Sequence, residues 1–150
     1  MSRISYIQDQ EKWASEFRYF HPITVRFSET DMFGHLNNTV PFVYFEESRI
    51  AYLEKVGFMG DWLKSRECIP VVADLQCDFV QQVYFGEKLT IGVKANSLGR
   101  SSVDIHYWGR KEDGSTAFTG RGTMVQVHAK TGKSVEWDEK SKEVWALSSC

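Results

Sequence analysis

RFSETDMFGHLNNTVPFVYFEESRIAYL, residues 26–53, holds the turn and the helix around which the rest of the chain is arranged. Its first part reads as extended chain entering a turn: Ser28, Thr30, Asp31 and Gly34, then Asn37 and Asn38. From about Thr39 the residues are helix-compatible and mostly apolar, and Gly57 after Val56 closes the run. Pro41 suits the first turn, where a missing N–H costs nothing. Asp31 therefore sits in a glycine-containing loop directly ahead of a long helix. There the backbone N–H groups lack intrahelical partners and the helix dipole favours negative charge. A carboxylate beside such donors is equipped to act on a carbonyl.

Upstream, Ile23, Val25 and Phe27 alternate with Thr24 and Arg26, which predicts a short strand. Before it, Gln8 to Arg18 predicts a short helix with Trp13 and Phe17 on one face, ended by His21-Pro22. Within the central helix, Val40, Val43, Tyr44, Ile50 and Ala51 lie on one side. Phe42, Phe45, Tyr52, Leu53 and Val56 lie on the other, a pattern that predicts burial on most sides. Glu46 and Arg49, three residues apart, are placed to pair.

Phe58 to Glu67 predicts a second helix with Trp62 and Leu63 inward. From Ile69 the period becomes two: Val71, Ala73, Leu75, Cys77 and Phe79 alternate with polar residues or Val72. After an irregularity near Gln81-Gln82, the turn Gly86-Glu87-Lys88 leads to strands at Leu89–Ala95, Val103–Tyr107 and Thr116–His128. A turn at Thr131-Gly132 and a short extension to Trp137 follow. The pattern predicts an α+β domain, a curved antiparallel sheet wrapped around one helix. It is one domain over 1–150, with an N-terminal extension at 1–20 and a tail or short helix at 138–150. Gly120 and Gly122 share a face of the last strand, where the central helix or a second subunit would come close.

Composition narrows the function. A net charge of −2, with no lysine- and arginine-rich block, argues against nucleic acid. Aromatic residues at 14% exceed what a small core needs and suit an apolar pocket or an interface. Cys68, Cys77 and Cys150 have no metal-type spacing and read as free thiols of a reducing, cytoplasmic compartment. Neither a signal peptide nor the ~20 apolar residues of a membrane span is visible. His21, His35, His106 and His128 lack metal-ligand spacing, and Ser101-Ser102 has no nucleophile elbow.

The loop and helix, DMFGHLNN followed by YFEESRIAYL, closely resemble the 4-hydroxybenzoyl-CoA thioesterase-like branch of the hot-dog superfamily. The match falls on Asp31, Gly34, His35, Leu36, Asn37, Asn38, Tyr44, Glu47 and Arg49. It extends to DFVQQVYFGEKLTI and LGRSS in the strand region, over about residues 22–137. The resemblance implies a hot-dog fold, subunits joined in a homodimer or homotetramer, and active sites between subunits. It also implies hydrolysis of an acyl-CoA or acyl-carrier-protein thioester, with no cofactor, since coenzyme A is part of the substrate. The chain departs from the family at Thr39 to Pro41, in lacking a proline near Trp137-Asp138, and in its N-terminal extension.

Thioester chemistry fits this sparse equipment. A thiol with pKa near 8.5 leaves without prior protonation, so a carboxylate and an oxyanion donor suffice. Asp31 would act as nucleophile or as general base. Gly34, His35, Asn37, Asn38, Thr39 and Val40 would shape the loop and bind substrate, the amides of Asn38 to Val40 polarising the carbonyl. Read in isolation, Asp31 is a turn or cap residue, as most loop aspartates are; the surrounding Gly34-His35-Leu36-Asn37-Asn38 turns the reading toward catalysis. Lys88, Lys94, Arg100 and Ser101 are candidates for the coenzyme A phosphates, although each alone reads as a solvated surface group. The alternatives are a non-catalytic acyl-CoA-binding module and a hydratase or dehydratase. The latter needs a histidine motif that is not visible here.

Overall fold

The computed structural model describes residues 4–148, so Cys150 lies outside the described residues. The central helix, here α2, spans Val40–Val56, and α1 is the short helix Gln10–Ser15. Gly57, at φ 99°, ends α2 in the left-handed conformation, with its N–H on the carbonyls of Leu53 and Glu54. Pro41, Tyr44, Phe45, Ser48, Tyr52 and Leu53 form its buried face, at the three- and four-residue spacing of an amphipathic helix. Burial on most sides does not hold: Val43 and Ile50 are 57% and 39% exposed. One stripe meets the sheet, and among the described residues no element covers the opposite one. Nor do Glu46 and Arg49 pair. Arg49 Nη1 donates to Tyr107 Oη at 3.2 Å, because the sheet brings Tyr107 under the helix.

The strands are β1 Tyr19–Thr24, β2 Cys68–Val72, β3 Gln76–Phe79, β4 Lys88–Leu98, β5 Ser102–Lys111 and β6 Thr116–His128. All pair antiparallel in the order β1-β4-β5-β6, and β2 and β3 follow each other along the far side of β6. The sheet curls around α2. Tyr44, Phe45, Leu53, Ile91, Val93, Ile105, Tyr107 and Phe118 are all buried in the core between them.

β1 begins four residues earlier than its alternation predicts and takes in His21 and Pro22. Among the described residues it is an edge strand paired with β4 alone, where a missing N–H is tolerated. The run from Ile69 is broken at Ala73–Leu75 as well as near Gln81. At the first break Asp74 Oδ1 accepts the Thr123 N–H at 2.7 Å, a side chain substituting for a ladder carbonyl. At the second, the N–H groups of Val80 and Gln81 both reach the Ala117 carbonyl. Gly120 lies where the body passing closest is α2: a Cβ there would sit 2.4 Å from the Phe45 ring.

The other helices are α3, Phe58–Ser65, and α4, Glu139–Ser148. Phe58 and Trp62 are buried, while Leu63 is 60% exposed, contrary to its predicted inward position. One residue beyond Trp62, it is turned by about 100° around the helix axis. Trp145 of α4 stacks on Phe58 at 4.2 Å. Residues 4–18 lie across the outer face of the sheet. There Ile7, Trp13 and Phe17 form a second apolar cluster with Phe20 and Trp108. No helix among the described residues is long and apolar enough to cross a membrane.

Candidate active site

Asp31 opens a tight turn. Its N–H donates to the His35 carbonyl at 2.8 Å, and its carbonyl accepts the Gly34 N–H at 3.1 Å. Gly34 holds φ at 82°, a conformation that glycine adopts without steric cost. Asp31 Oδ1 accepts from the N–H groups of Phe33 (2.8 Å) and His35 (3.2 Å). The other carboxylate oxygen, Oδ2, receives no hydrogen bond among the described residues. One oxygen is thus tied to the turn and the other remains available.

The turn is anchored on both sides. Leu36 N–H donates to the Val83 carbonyl at 2.7 Å, and the His35 ring packs edge-on against Tyr84 at 5.2 Å. Glu29 fastens the loop to α2: it accepts from Tyr44 Oη at 2.8 Å and from the Arg26 N–H at 2.8 Å. Its backbone carbonyl takes the Asn37 N–H. Burial acts to raise the Glu29 pKa, but the hydrogen bonds from Arg26 and Tyr44 outweigh it and hold the carboxyl below its ordinary value. The Tyr44 hydroxyl is pushed up, by burial first and then by the carboxylate it serves. Sequence reasoning missed Glu29; its signal was an acid three residues after Arg26, just ahead of the turn.

Of the three amides expected to polarise a carbonyl, two are spent inside the loop. Thr39 N–H donates to Asn37 Oδ1 at 3.0 Å, and Val40 N–H to the Asn37 carbonyl at 3.0 Å. The Asn38 N–H has no acceptor among the described residues. Beside Asp31 opens a pocket of about 300 Å³. It is lined by Asp31, His35, Leu36 and Asn38 from the loop, by residues 79–83, and by Phe118. Around this end of the molecule Phe27, Met32, Phe33, Phe79, Tyr84 and Phe85 are exposed.

The four residues considered for the phosphates do not form one patch. Lys88 and Arg100 lie at opposite ends of β4, about 35 Å apart at ~3.4 Å per residue, and Lys88 is at the Asp31 end. Arg100 is exposed beside Glu136 at 3.3 Å, and the Ser101 carbonyl accepts the Gln126 N–H. Lys94 is buried on the outer face, its ammonium 3.1 Å from Glu16 and over the Trp13 and Phe17 rings. The N-terminal segment covers it, so a phosphate placed at Lys94 is corrected to a packing contact. Lys111, which the sequence did not single out, is brought to the Asp31 end by its pairing with Leu89. Its Nζ donates to the Gln82 carbonyl at 2.8 Å.

Among the described residues no group of three or more His, Cys, Asp or Glu could hold a metal. Cys68 and Cys77 are free, and burial together with the neighbouring Asp78 pushes the Cys77 thiol up to about 12.

A curled antiparallel sheet wrapped around one helix is the hot-dog fold. The chain belongs to the thioesterase-like superfamily, whose sequence profile matches residues 25–144. It is 45% identical over 133 residues to the uncharacterised protein YsmA of Bacillus subtilis (strain 168), covering 89% of this chain and 88% of that protein. Among solved structures it resembles a thioesterase from Thermus thermophilus complexed with coenzyme A and zinc. That likeness has a TM-score of 0.74 at 29% identity, covering 88% of this chain and 95% of the other. A DHNA-CoA thioesterase from Staphylococcus aureus shares the fold, with a TM-score of 0.77 at 22% identity over 85% of this chain and 88% of the other.

Proposed function

We propose that the protein hydrolyses an acyl-CoA thioester, with Asp31 as the catalytic residue and the Asn38 N–H as donor to the developing oxyanion. The observation that carries this reading is the state of the Asp31 carboxylate. Oδ1 is held by two N–H groups, which sets the orientation of the side chain, and Oδ2 has no partner among the described residues beside a pocket of about 300 Å³. Oδ2 either attacks the thioester carbon, forming an acyl-anhydride that water then opens, or takes a proton from an attacking water. In both routes the carbonyl electrons move onto oxygen, the C–S bond breaks, and the thiolate departs as a stable anion. Lys88, at the same end of β4, is a candidate for the coenzyme A phosphates.

The exposed apolar residues around the turn and the open edges at β1 and at β2 and β3 also favour a homo-oligomer. Sedimentation at micromolar concentration tests that, and a monomer would refute it. The catalytic reading is tested by thiol release from a panel of acyl-CoAs with the wild type and Asp31→Asn. Asparagine can keep the two Oδ1 bonds but loses the basic oxygen. A folded variant with turnover close to the wild type would overturn the proposal. Binding of an acyl-CoA by the wild type without thiol release would replace it with a non-catalytic binding module.

A further inference from the structure

Between Arg26 and Val40, all of them described residues, one residue alone is buried within the chain, and it is the acid Glu29. We propose that Glu29 is a positioning residue for the reaction, fixing the Asp31 carboxylate relative to the amides that open α2. The inference rests on the thioesterase reading and adds to it a residue that acts through Asp31 and Asn38 rather than on the substrate.

The bonds that orient the Asp31 side chain are made within its own turn, from the N–H groups of Phe33 and His35. They fix the carboxylate to the turn, and not the turn to the helix. Glu29 makes that second connection. Its Oε1 accepts from the Tyr44 hydroxyl, in the second turn of α2, and from the Arg26 N–H, both at 2.8 Å. Its Oε2 accepts from Arg26 Nη2 at 3.2 Å. Its backbone carbonyl accepts the Asn37 N–H at 2.9 Å, one residue ahead of Asn38. Glu29 therefore holds the start of the turn, its far end and the helix together. All of these bonds lie within one chain, so none of them waits on a partner subunit.

Stability alone does not call for a carboxylate at this place. Burying a charge costs free energy that an apolar side chain of similar size does not incur. The carboxylate supplies direction, because charge-assisted hydrogen bonds are short and fix geometry. The turn itself packs little of its surface within the chain: Phe27, Met32 and Phe33 are each 75% exposed or more. Without the clamp the turn is free to shift against α2, and a displacement of about 1 Å at the reacting atoms costs on the order of 10² in rate. Tyr44, singled out in the helix motif, receives its role here: its ring is buried in the core and its hydroxyl serves Glu29.

The test combines turnover with a readout of the turn. kcat and KM for thiol release are measured for the wild type, Glu29→Ala, Glu29→Gln, Tyr44→Phe and the double variant Glu29→Ala/Tyr44→Phe. Trp13→Ala, remote from the turn, is the control for lost stability alone. In parallel, NMR follows amide hydrogen exchange at Phe33, His35, Leu36 and Asn37. Glu29→Ala is expected to lower kcat by ~10–10²-fold with KM within about twofold. Exchange at the four amides should quicken by about tenfold or more. Glu29→Gln keeps an oxygen for Tyr44 and the Arg26 N–H and loses only the contact to an exposed guanidinium, so its kcat should stay within about threefold. Tyr44→Phe should lower kcat by about tenfold, and it carries the test if Glu29→Ala does not fold. The double variant should be no slower than Glu29→Ala, because the two side chains act as one.

Near-normal kcat and exchange in a folded Glu29→Ala or Tyr44→Phe would overturn the proposal. So would a Glu29→Gln as slow as Glu29→Ala, a raised KM with unchanged kcat, or an equal fall of kcat in Trp13→Ala. Absence of thiol release from every acyl-CoA tried would refute the catalytic reading alone, because the exchange rates still decide whether Glu29 holds the turn.

Discussion

Two aspartates with a histidine close by occupy different parts of this molecule and are built in opposite ways. Asp104, on β5 and partly exposed, meets His106 Nε2 with its Oδ2 at 2.9 Å, and its Oδ1 accepts twice from Arg121. His106 is 1% exposed, and its Nδ1 accepts the Trp13 indole N–H at 2.9 Å, so both ring nitrogens are engaged. Asp31 has half of its carboxylate tied down and half left beside a pocket. The Asp104–His106 pair has the composition of a catalytic dyad, but its histidine is buried with both ring nitrogens bonded. The open turn has one usable oxygen, space in front of it and a spare amide. Saturation of hydrogen bonds marks the structural pair, and the unmet oxygen marks the reactive one.

The largest effect expected is the loss of turnover in Asp31→Asn. kcat should fall by ~10²–10⁴ while the thermal midpoint moves by no more than a ~1 kcal/mol cap change implies. His35→Gln should cost less in kcat, since its ring packs on Tyr84 and its bonds to Asp31 are made by its backbone N–H and carbonyl. A larger loss in His35→Gln than in Asp31→Asn would transfer the catalytic role.

Trp13→Ala sharpens the contrast from the other side. It empties a buried site, costing roughly 3–5 kcal/mol of stability, and leaves the His106 acceptor unmet. Denaturant unfolding should show that loss, while kcat of the folded fraction stays near the wild-type value. A proportional fall in kcat would mean that the two regions are coupled.

A smaller effect is expected with pH. Burial tends to raise the Asp104 pKa, but the bonds from His106 and Arg121 prevail and hold it below the ordinary carboxylate value. The stability this contributes is present above the unfolded pKa of about 3.9 and is lost as pH falls through the lower folded value. Thermal melts from about pH 5 downward should therefore fall more steeply for the wild type than for Asp104→Asn. Equal slopes would remove Asp104 from the acid response.

The smallest effect separates the two ends of β4. Lys88→Ala is expected to raise KM for acyl-CoA by up to about fivefold, the scale of an exposed charge contact. Arg100→Ala, at the far end and paired with Glu136 at the surface, should leave KM within about twofold. Equal increases would place the phosphates elsewhere.

What the sequence alone determined is local. The helix from Thr39 to Val56, its glycine cap, the aspartate turn and the period-two strands follow from propensities and spacings within a few residues. Tertiary structure decided the rest, because those properties depend on which distant strands pair and what then covers them. Pairing of β1 with β4 made Pro22 an edge residue inside a strand. The folding of residues 4–18 over the sheet converted Lys94 from a surface cation into a buried partner of Glu16. The packing of α2 on the sheet left Val43 exposed and brought Phe118 to line the pocket. Most decisive for function, the turn engaged one oxygen of Asp31 and two of the three helix amides, and left the other oxygen and the Asn38 N–H open. No spacing in the chain shows that division, since it depends on where each donor points after the loop docks on Val83 and Glu29.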